Sequence, residues 1–152
     1  MKDFVVAAQL YTLRDYMKTP EDIRKSLKKV SEMGYTAVQI SGLGKIDPVE
    51  LKEITDEYGL KICATHISPE AIANEFDRVV KEHKLWDCKY VGIGGMPAAY
   101  RGSEEGCIAF AKEFSVHAKK LADEGLQFIY HNHRFEFEKF NGRTMMDILF
   151  EE

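Results

Sequence analysis

Strand-like and helix-like segments alternate along the 152 residues, and this alternation limits the possible folds more than any other feature of the sequence. Apolar patterning and turn residues predict five strands, at residues 5–11, 36–41, 60–67, 89–93 and 126–133. Helical spacing predicts four helices between the strands and the start of another at residues 144–152, whereas residues 135–140 alternate only weakly. A chain of this kind forms parallel βαβ units with right-handed crossovers.

Capping signals mark where the predicted helices begin. The N-cap residues are Thr19, Asp47, Ser68 and Ser103, and proline follows the first three of them. Glycines at positions 34, 59 and 125 follow the ends of three helices. The third helix, which begins after Ser68 and runs past Phe76, has the least regular pattern.

Polar residues fall on one face of four predicted strands, close to the carboxyl end of each. Because side chains alternate across a strand, the sets that share this face are Ala7, Gln9 and Tyr11; Ala37, Gln39 and Ser41; Ile62, Ala64 and His66; and Gln127, Ile129, His131 and His133. Polar groups at the carboxyl ends are typical of a barrel mouth. A doubly wound sheet covers both faces with helices, so the pattern favours a (β/α) barrel.

The length of the chain limits how much of a barrel it forms. A complete eight-stranded barrel needs about 250 residues. We therefore expect residues 1–152 to be the N-terminal portion of a single TIM (β/α)8 barrel domain, here about the first five β/α units. The alternative is a half-barrel completed by a second copy or by another chain.

Composition excludes several classes of protein. The net charge of −4 and the pI near 5.8 argue against nucleic acid as a partner, because such domains carry a clustered basic surface. No apolar run approaches the roughly 18 residues that a membrane span requires. The three cysteines have no C-x-x-C spacing, and residues 1–4 lead directly into a strand-like segment. We therefore expect a cytoplasmic protein.

The segment Y-H-N-H-R-F-E-F at residues 130–137 is the strongest candidate for chemistry. His131 and His133 are two residues apart on one strand face, and Glu136 follows three residues later. Imidazole binds metal ions and acts as an acid or base near neutral pH. The alternative is one buried structural histidine beside one surface histidine.

Further candidates lie at the same predicted rim. His66 ends the third strand and faces inward, either toward a ligand or in a structural hydrogen bond. Gln9, Tyr11 and Gln39 would bind a polyol or cap the layer of side chains inside the barrel.

Two other features are expected to be structural. The glycines at positions 92, 94 and 95 lack the pattern of a nucleotide-binding loop and would clear space at the mouth or form a turn. His83 and His117 fall within helices, where we expect both to be solvated or to flank the helix.

Three motifs together resemble a known family: Q-L-Y-T-L-R at residues 9–14, I-C-A-T-H-I-S at residues 62–68, and the segment at residues 130–137. They are similar to those of the sugar phosphate isomerase/epimerase family, which has a xylose-isomerase-like TIM barrel. The resemblance implies a divalent metal ion, Mn²⁺, Mg²⁺ or Zn²⁺, at the barrel mouth. It also implies a sugar, sugar phosphate or related polyol as substrate, with metal-assisted proton transfer next to a carbonyl.

The resemblance also assigns expected roles to residues. The glutamate that typical epimerases carry on the fifth strand corresponds to His131, and the strands that would bring their other ligands are absent. We expect His131 to be a metal ligand or a substrate contact, and we name His131 and His133 as candidate catalytic residues. The candidate substrate-binding residues are Gln9, Tyr11, Gln39, His66 and Glu136. The set of catalytic residues is incomplete in this chain, so we expect the chain alone to be inactive.

Other functions remain open on the sequence. The chain could be a non-catalytic half-barrel that binds a sugar or pairs with another chain. A metal-dependent endonuclease or a glycoside lyase on the same barrel is a third possibility, although the acidic balance argues against a nuclease.

Overall fold

The computed structural model describes residues 5–151, and the predictions that concern residues 1–4 and Glu152 lie outside this range. It contains the five predicted strands as one parallel sheet, in the order β1-β2-β3-β4-β5. The strands are β1 Ala7–Gln9, β2 Ala37–Ile40, β3 Lys61–Ile67, β4 Tyr90–Ile93 and β5 Gln127–Tyr130. Each is shorter than predicted: β3 and β4 lack one residue at the amino end, and β1, β2 and β5 are shorter at both ends.

The strand order distinguishes between the two candidate architectures. Neighbours in the sheet are consecutive in the chain throughout, so every crossover advances in the same direction. A doubly wound sheet would reverse this order at a switch point. The structure therefore confirms the prediction of a partial (β/α) barrel.

Helices begin directly after all four predicted N-cap residues, and two further helices, α4 and α6 below, begin without one. They are α1 Pro20–Glu32, α2 Pro48–Glu57, α3 Pro69–Asn74, α4 Phe76–Leu85, α5 Glu104–Asp123 and α6 Met145–Glu151. Thr19 and Asp22 form a complete capping box at α1. The predicted third helix is in fact two helices, because the backbone leaves the helical region at Glu75 (φ −130°, ψ 34°).

The apolar faces of the strands pack against the helices in two clusters. Val38 and Ile62 join residues of α1 and α2 in one cluster, and Val91 and Ile93 join Phe110 and others of α5 in the second. The opposite face of the sheet carries the polar positions. Among residues 5–151, no helix combines the length and the apolar character needed to cross a membrane.

A bulge in β3 corrects one prediction about the faces. Val38 pairs with Ile62, but the next pair joins Gln39 to Ala64, so Cys63 has no partner in β2. The extra residue places Ile62 in the core on the helix side, whereas the prediction placed it beside His66. Ala64 and His66 keep the inner face because they follow the bulge.

The end of β1 corrects a second prediction. The strand stops at Gln9, and residues Leu10–Tyr16 form a 3-10 helix whose first turn is capped by the side chain of Gln9. The prediction that Tyr11 shares the inner strand face with Gln9 is therefore wrong. Tyr11 is 53% exposed, and its ring packs against Gly42 of the next loop.

The environment of His83 corrects a third prediction. His83 was expected to be solvated or to flank its helix, but its side chain is fully buried. Nδ1 lies 2.7 Å from the carbonyl oxygen of Val79 and therefore donates to it, and Nε2 accepts from the hydroxyl of Thr65 at 2.7 Å. Burial is the main cause that lowers the pKa of His83, so the ring is neutral in the folded protein at neutral pH.

The first prediction concerns the pH dependence of stability. Below the ordinary histidine pKa of 6.5, the unfolded chain binds a proton at His83 that the folded protein does not bind. The contribution of the neutral ring is therefore present above pH 6.5 and is lost as the pH falls toward its lowered folded pKa. We expect the unfolding free energy, measured with urea between pH 5 and 7.5, to fall with pH more steeply in the native sequence than in a Thr65→Val/His83→Leu double variant.

The double variant is the appropriate comparison because it removes both members of the Thr65–His83 hydrogen bond, so neither side chain is left buried without the other. His66 titrates in both proteins, so the difference between the two slopes isolates His83. Equal slopes would show that His83 does not titrate with a lowered pKa.

Candidate functional site

Three predicted histidines meet at the carboxyl edge of the sheet. The ring centroids of His66 and His131 are 5.0 Å apart, and those of His131 and His133 are 4.8 Å apart. His66 lies on β3, whereas His131 follows β5 and extends its ladder by donating its backbone N–H to Ile93 at 3.2 Å. The three rings, which we call the histidine cluster, are thus brought together from two strands that are not adjacent.

Glycines in β4 and in the loop that follows it make room for the histidine cluster. A Cβ atom at Gly92 would lie 3.1 Å from the His66 ring and only 2.4 Å from the carbonyl oxygen of Thr65. A Cβ atom at Gly95, where φ is +148°, would lie 3.0 Å from Cε1 of His133. The prediction that these glycines clear space at the mouth fits this arrangement.

The environment of His66 favours its neutral form. Burial is the main cause that lowers its pKa, and the neighbouring His131 and His133 lower it further, since a charged ring beside them would be repelled. Its Nδ1 lies 3.5 Å from the hydroxyl oxygen of Ser41. His131 and His133 are exposed.

The two predicted glutamines form a pair on β1 and β2. Gln9 donates from Nε2 to Oε1 of Gln39 at 2.7 Å, and its own Oε1 accepts the backbone N–H of Tyr11 at 3.2 Å. Gln9 is therefore occupied within the protein and holds Gln39 in place. Among the described residues, Gln39 Nε2 has no hydrogen-bond partner, which leaves this amide available to a ligand.

Glu136 occupies a different position from the one predicted. Its side chain has 0% exposure, so it does not face the mouth as a substrate contact. One carboxylate oxygen accepts the hydroxyl of Tyr130, and the other accepts the backbone N–H of His133 at 2.7 Å. The Tyr130 hydroxyl in turn accepts the backbone N–H of Met96 at 3.0 Å. Glu136 therefore joins the loop after β5 to the loop after β4.

Tyr130 belongs to the same buried network. Burial and the hydrogen bond to Glu136 raise its pKa far above the ordinary value for tyrosine, so its hydroxyl stays protonated as the donor. A neutral donor facing a buried carboxylate stabilises that charge, since an unpaired buried carboxylate would be costly.

Arg101 is a rim residue that the sequence reasoning missed. Its guanidinium carbon lies 4.0 Å from the ring centroid of Phe135, which stacks in turn on His133 at 5.4 Å. Arg101 also lines an open groove of about 320 Å³ beside Gly94 and Gly95. No local pattern in the sequence indicates these contacts, because Arg101 and Phe135 come from different loops.

The described residues do not fit a resident divalent metal ion. Within residues 5–151, no three histidine, cysteine, aspartate or glutamate side chains converge closely enough to hold one. Structural and catalytic zinc sites ordinarily have at least three protein ligands. His131 therefore lacks the partners that its expected role as a metal ligand would require from this part of the chain.

The second prediction tests the buried carboxylate. Replacing Glu136 by glutamine puts an amide N–H₂ group opposite a hydroxyl or backbone donor, so one hydrogen bond is lost and a buried donor is left unpaired. We expect Glu136→Gln to lower the unfolding free energy by about 1–3 kcal/mol and to shift the His133 ring signals in the NMR spectrum.

Glu138→Gln is the matched control, because Glu138 is exposed and lies two residues further along the same loop. Its effect on stability should stay within about 0.5 kcal/mol. Equal effects of the two variants would contradict the anchoring role of Glu136.

The third prediction tests the close approach at Gly92. A methyl group there would press on the backbone of β3, so Gly92→Ala should lower the unfolding free energy by about 1–3 kcal/mol in urea titrations. Gly94→Ala is the control, since its Cβ would meet only His66 Nδ1 at an ordinary 3.7 Å. The close approach would be refuted by a Gly92→Ala variant as stable as Gly94→Ala.

Comparison with known proteins identifies the fold. No family model matches the chain, and no curated protein matches its sequence. Two solved structures of sugar phosphate isomerase/epimerase proteins from Parabacteroides distasonis ATCC 8503 match 96% and 98% of the chain, with TM-scores of 0.77 and 0.78 and sequence identities of 20% and 21%. The chain spans 60% and 65% of the length of those two proteins.

A less similar solved structure belongs to a different kind of protein. An AP endonuclease of family 2 from Brucella melitensis matches 82% of this chain and has 53% of its own length covered, with a TM-score of 0.63 and 15% identity. Similarity at these identities shows the fold and not the reaction. The chain therefore has the fold of the sugar phosphate isomerase/epimerase structures, a partial TIM barrel of the xylose-isomerase-like type.

Proposed function

We propose that this chain forms part of a sugar isomerase or epimerase, and that the histidine cluster transfers a proton next to the carbonyl of a sugar or related polyol. The observation that carries the proposal is the contact of His66, His131 and His133 at the carboxyl edge of the sheet. In barrels of this class that edge is where substrates are converted.

The histidines differ in their environments, which suits them to different tasks. His66 is half-buried and its pKa is lowered, so it acts as a neutral hydrogen-bonding group or base. His131 and His133 are exposed on the same rim, so a ligand can reach both rings, and we assign the acid to one of them. A base beside an acid is the arrangement that moves a proton between neighbouring carbon and oxygen atoms.

Polar groups beside the cluster would bind hydroxyls. The free amide of Gln39 donates from β2, and the register joins Gln39 to Ala64, two residues before His66. Gln9 fixes the orientation of this amide through their hydrogen bond. A sugar that contacts the histidine cluster would therefore find a donor held in place on the neighbouring strands.

A second candidate is a non-catalytic half-barrel that binds a sugar. It is favoured by the fixed amide of Gln39, which can bind a hydroxyl group without taking part in a reaction. This candidate predicts binding through the same rim residues without turnover.

The fourth prediction separates these candidates. Proton transfer next to a carbonyl in D₂O incorporates deuterium at that carbon, which NMR detects. We expect the complete enzyme of which this chain forms part to incorporate deuterium into one or more ketoses, tested with and without added Mn²⁺. Since acid–base groups contribute about 10²–10⁴-fold to rate, His131→Ala should slow incorporation by at least about 100-fold.

His117→Ala is the control, because His117 lies on α5, on the opposite side of the sheet from the histidine cluster. The rate of deuterium incorporation in the His117→Ala variant should equal that of the native sequence. Incorporation at an unchanged rate in His131→Ala would remove the cluster from the reaction, and sugar binding without incorporation would favour the half-barrel.

A further inference from the structure

The guanidinium of Arg101 is fixed in place on the rim before any ligand arrives. It lies over the Phe135 ring at 4.0 Å, and its Nε donates to the carbonyl oxygen of Met96 at 2.7 Å. Among the described residues, its two terminal nitrogens have no hydrogen bond or ion pair. An immobilised guanidinium with a free two-pronged edge is suited to a carboxylate or a phosphate group.

The groove that Arg101 lines adjoins the histidine cluster. Gly94 and Gly95 form part of its wall, and Cβ positions at these glycines would lie 3.7 Å from His66 and 3.0 Å from His133. Phe135 touches both Arg101 and His133, so it bridges the cation and the cluster. A ligand that extends from the cluster along the groove meets Arg101.

The other wall of the groove carries a different charge. Glu70 lies there, exposed and without a hydrogen bond among the described residues. Its carboxylate would repel an anion but accept hydrogen bonds from hydroxyls. The two walls together favour a ligand that has hydroxyls along one side and a single anionic group at the Arg101 end.

We propose that Arg101 binds the anionic group of the substrate, so that the site selects a phosphorylated or carboxylated sugar over a neutral one. This inference rests on the proposed function for its substrate class. It adds a specificity-determining residue on the loop before α5, outside the motifs of the histidine cluster.

Calorimetric titration with three matched probes tests the inference. D-Glucose 6-phosphate, D-glucuronate and D-glucose differ only in the group at carbon 6, which is a phosphate ester, a carboxylate or a hydroxymethyl group. We expect at least one anionic probe to bind about tenfold or more tightly than D-glucose, as a charge-assisted contact provides. Arg101→Gln should remove that preference and leave the affinity for D-glucose within about twofold.

Two further variants serve as a conservative substitution and as a control. Arg101→Lys keeps the charge but loses the planar fork and its stacking, so its preference for the anion should be intermediate. Arg134→Gln is the control, because Arg134 is exposed and does not line the groove. It should bind all three probes as the native sequence does. The stronger of the two anionic probes identifies phosphate or carboxylate as the group that is recognised.

Several outcomes would overturn the inference: no anionic preference in the native sequence, the same preference in Arg101→Gln, or no binding of any probe. A loss of affinity for all probes together in Arg101→Gln would also overturn it, since that would indicate a structural effect. If anionic binding depends on Arg101 but deuterium exchange fails, then the proposed reaction is wrong and the anion site stands. If neutral ketoses exchange with no anionic preference, then the reaction stands and the anion site fails.

Discussion

Parallel pairing in strict chain order places the carboxyl ends of all five strands at one edge of the sheet, and every feature of the candidate site depends on this. The order brings His66 and His131 into contact although they are 65 positions apart in the sequence. It also leaves the helices on the other face, where the two apolar clusters hold the strands together. The buried carboxylate of Glu136 completes the arrangement, since it fastens the loop that carries His133 to the loop that carries Met96.

Much of the fold could be predicted because its signals are local. N-cap residues such as Thr19 and Asp47 act within one helical turn, and the structure begins α1 and α2 directly after them. Tyr11 and Ile62 show where local reasoning fails. The alternation rule assumes an uninterrupted strand, but Gln9 caps a 3-10 helix immediately after β1, and the bulge at Cys63 shifts the register of β3. The bulge depends on pairing with β2, which the sequence pattern of one segment does not contain, whereas the cap by Gln9 is local but interrupts the alternation.

Some residues of the candidate site could also be placed from the sequence, whereas others could not. The inward positions of Gln39 and His66 followed from periodicity, because each lies on an inner-face position of a regular stretch of strand. The burial of Glu136 and His83 did not, since the groups that satisfy them come from elsewhere: Thr65 lies 18 residues from His83. Arg101 illustrates the same limit, because its position becomes informative only when Phe135, from another loop, is seen beneath it. Polar residues whose partners are distant in sequence look like ordinary surface residues until the fold is known.

The bulge at Cys63 makes β3 tolerant of a change in length at that one position. Ile62 and Ala64 already hold consecutive places opposite Val38 and Gln39, so a chain without Cys63 could pair the same residues in a regular ladder. His66 would keep its place on the inner face in such a chain. During divergence, this residue should therefore be gained or lost without changing which side chains reach the mouth, and sequence alignments should place a one-residue gap opposite Cys63 rather than earlier in the strand.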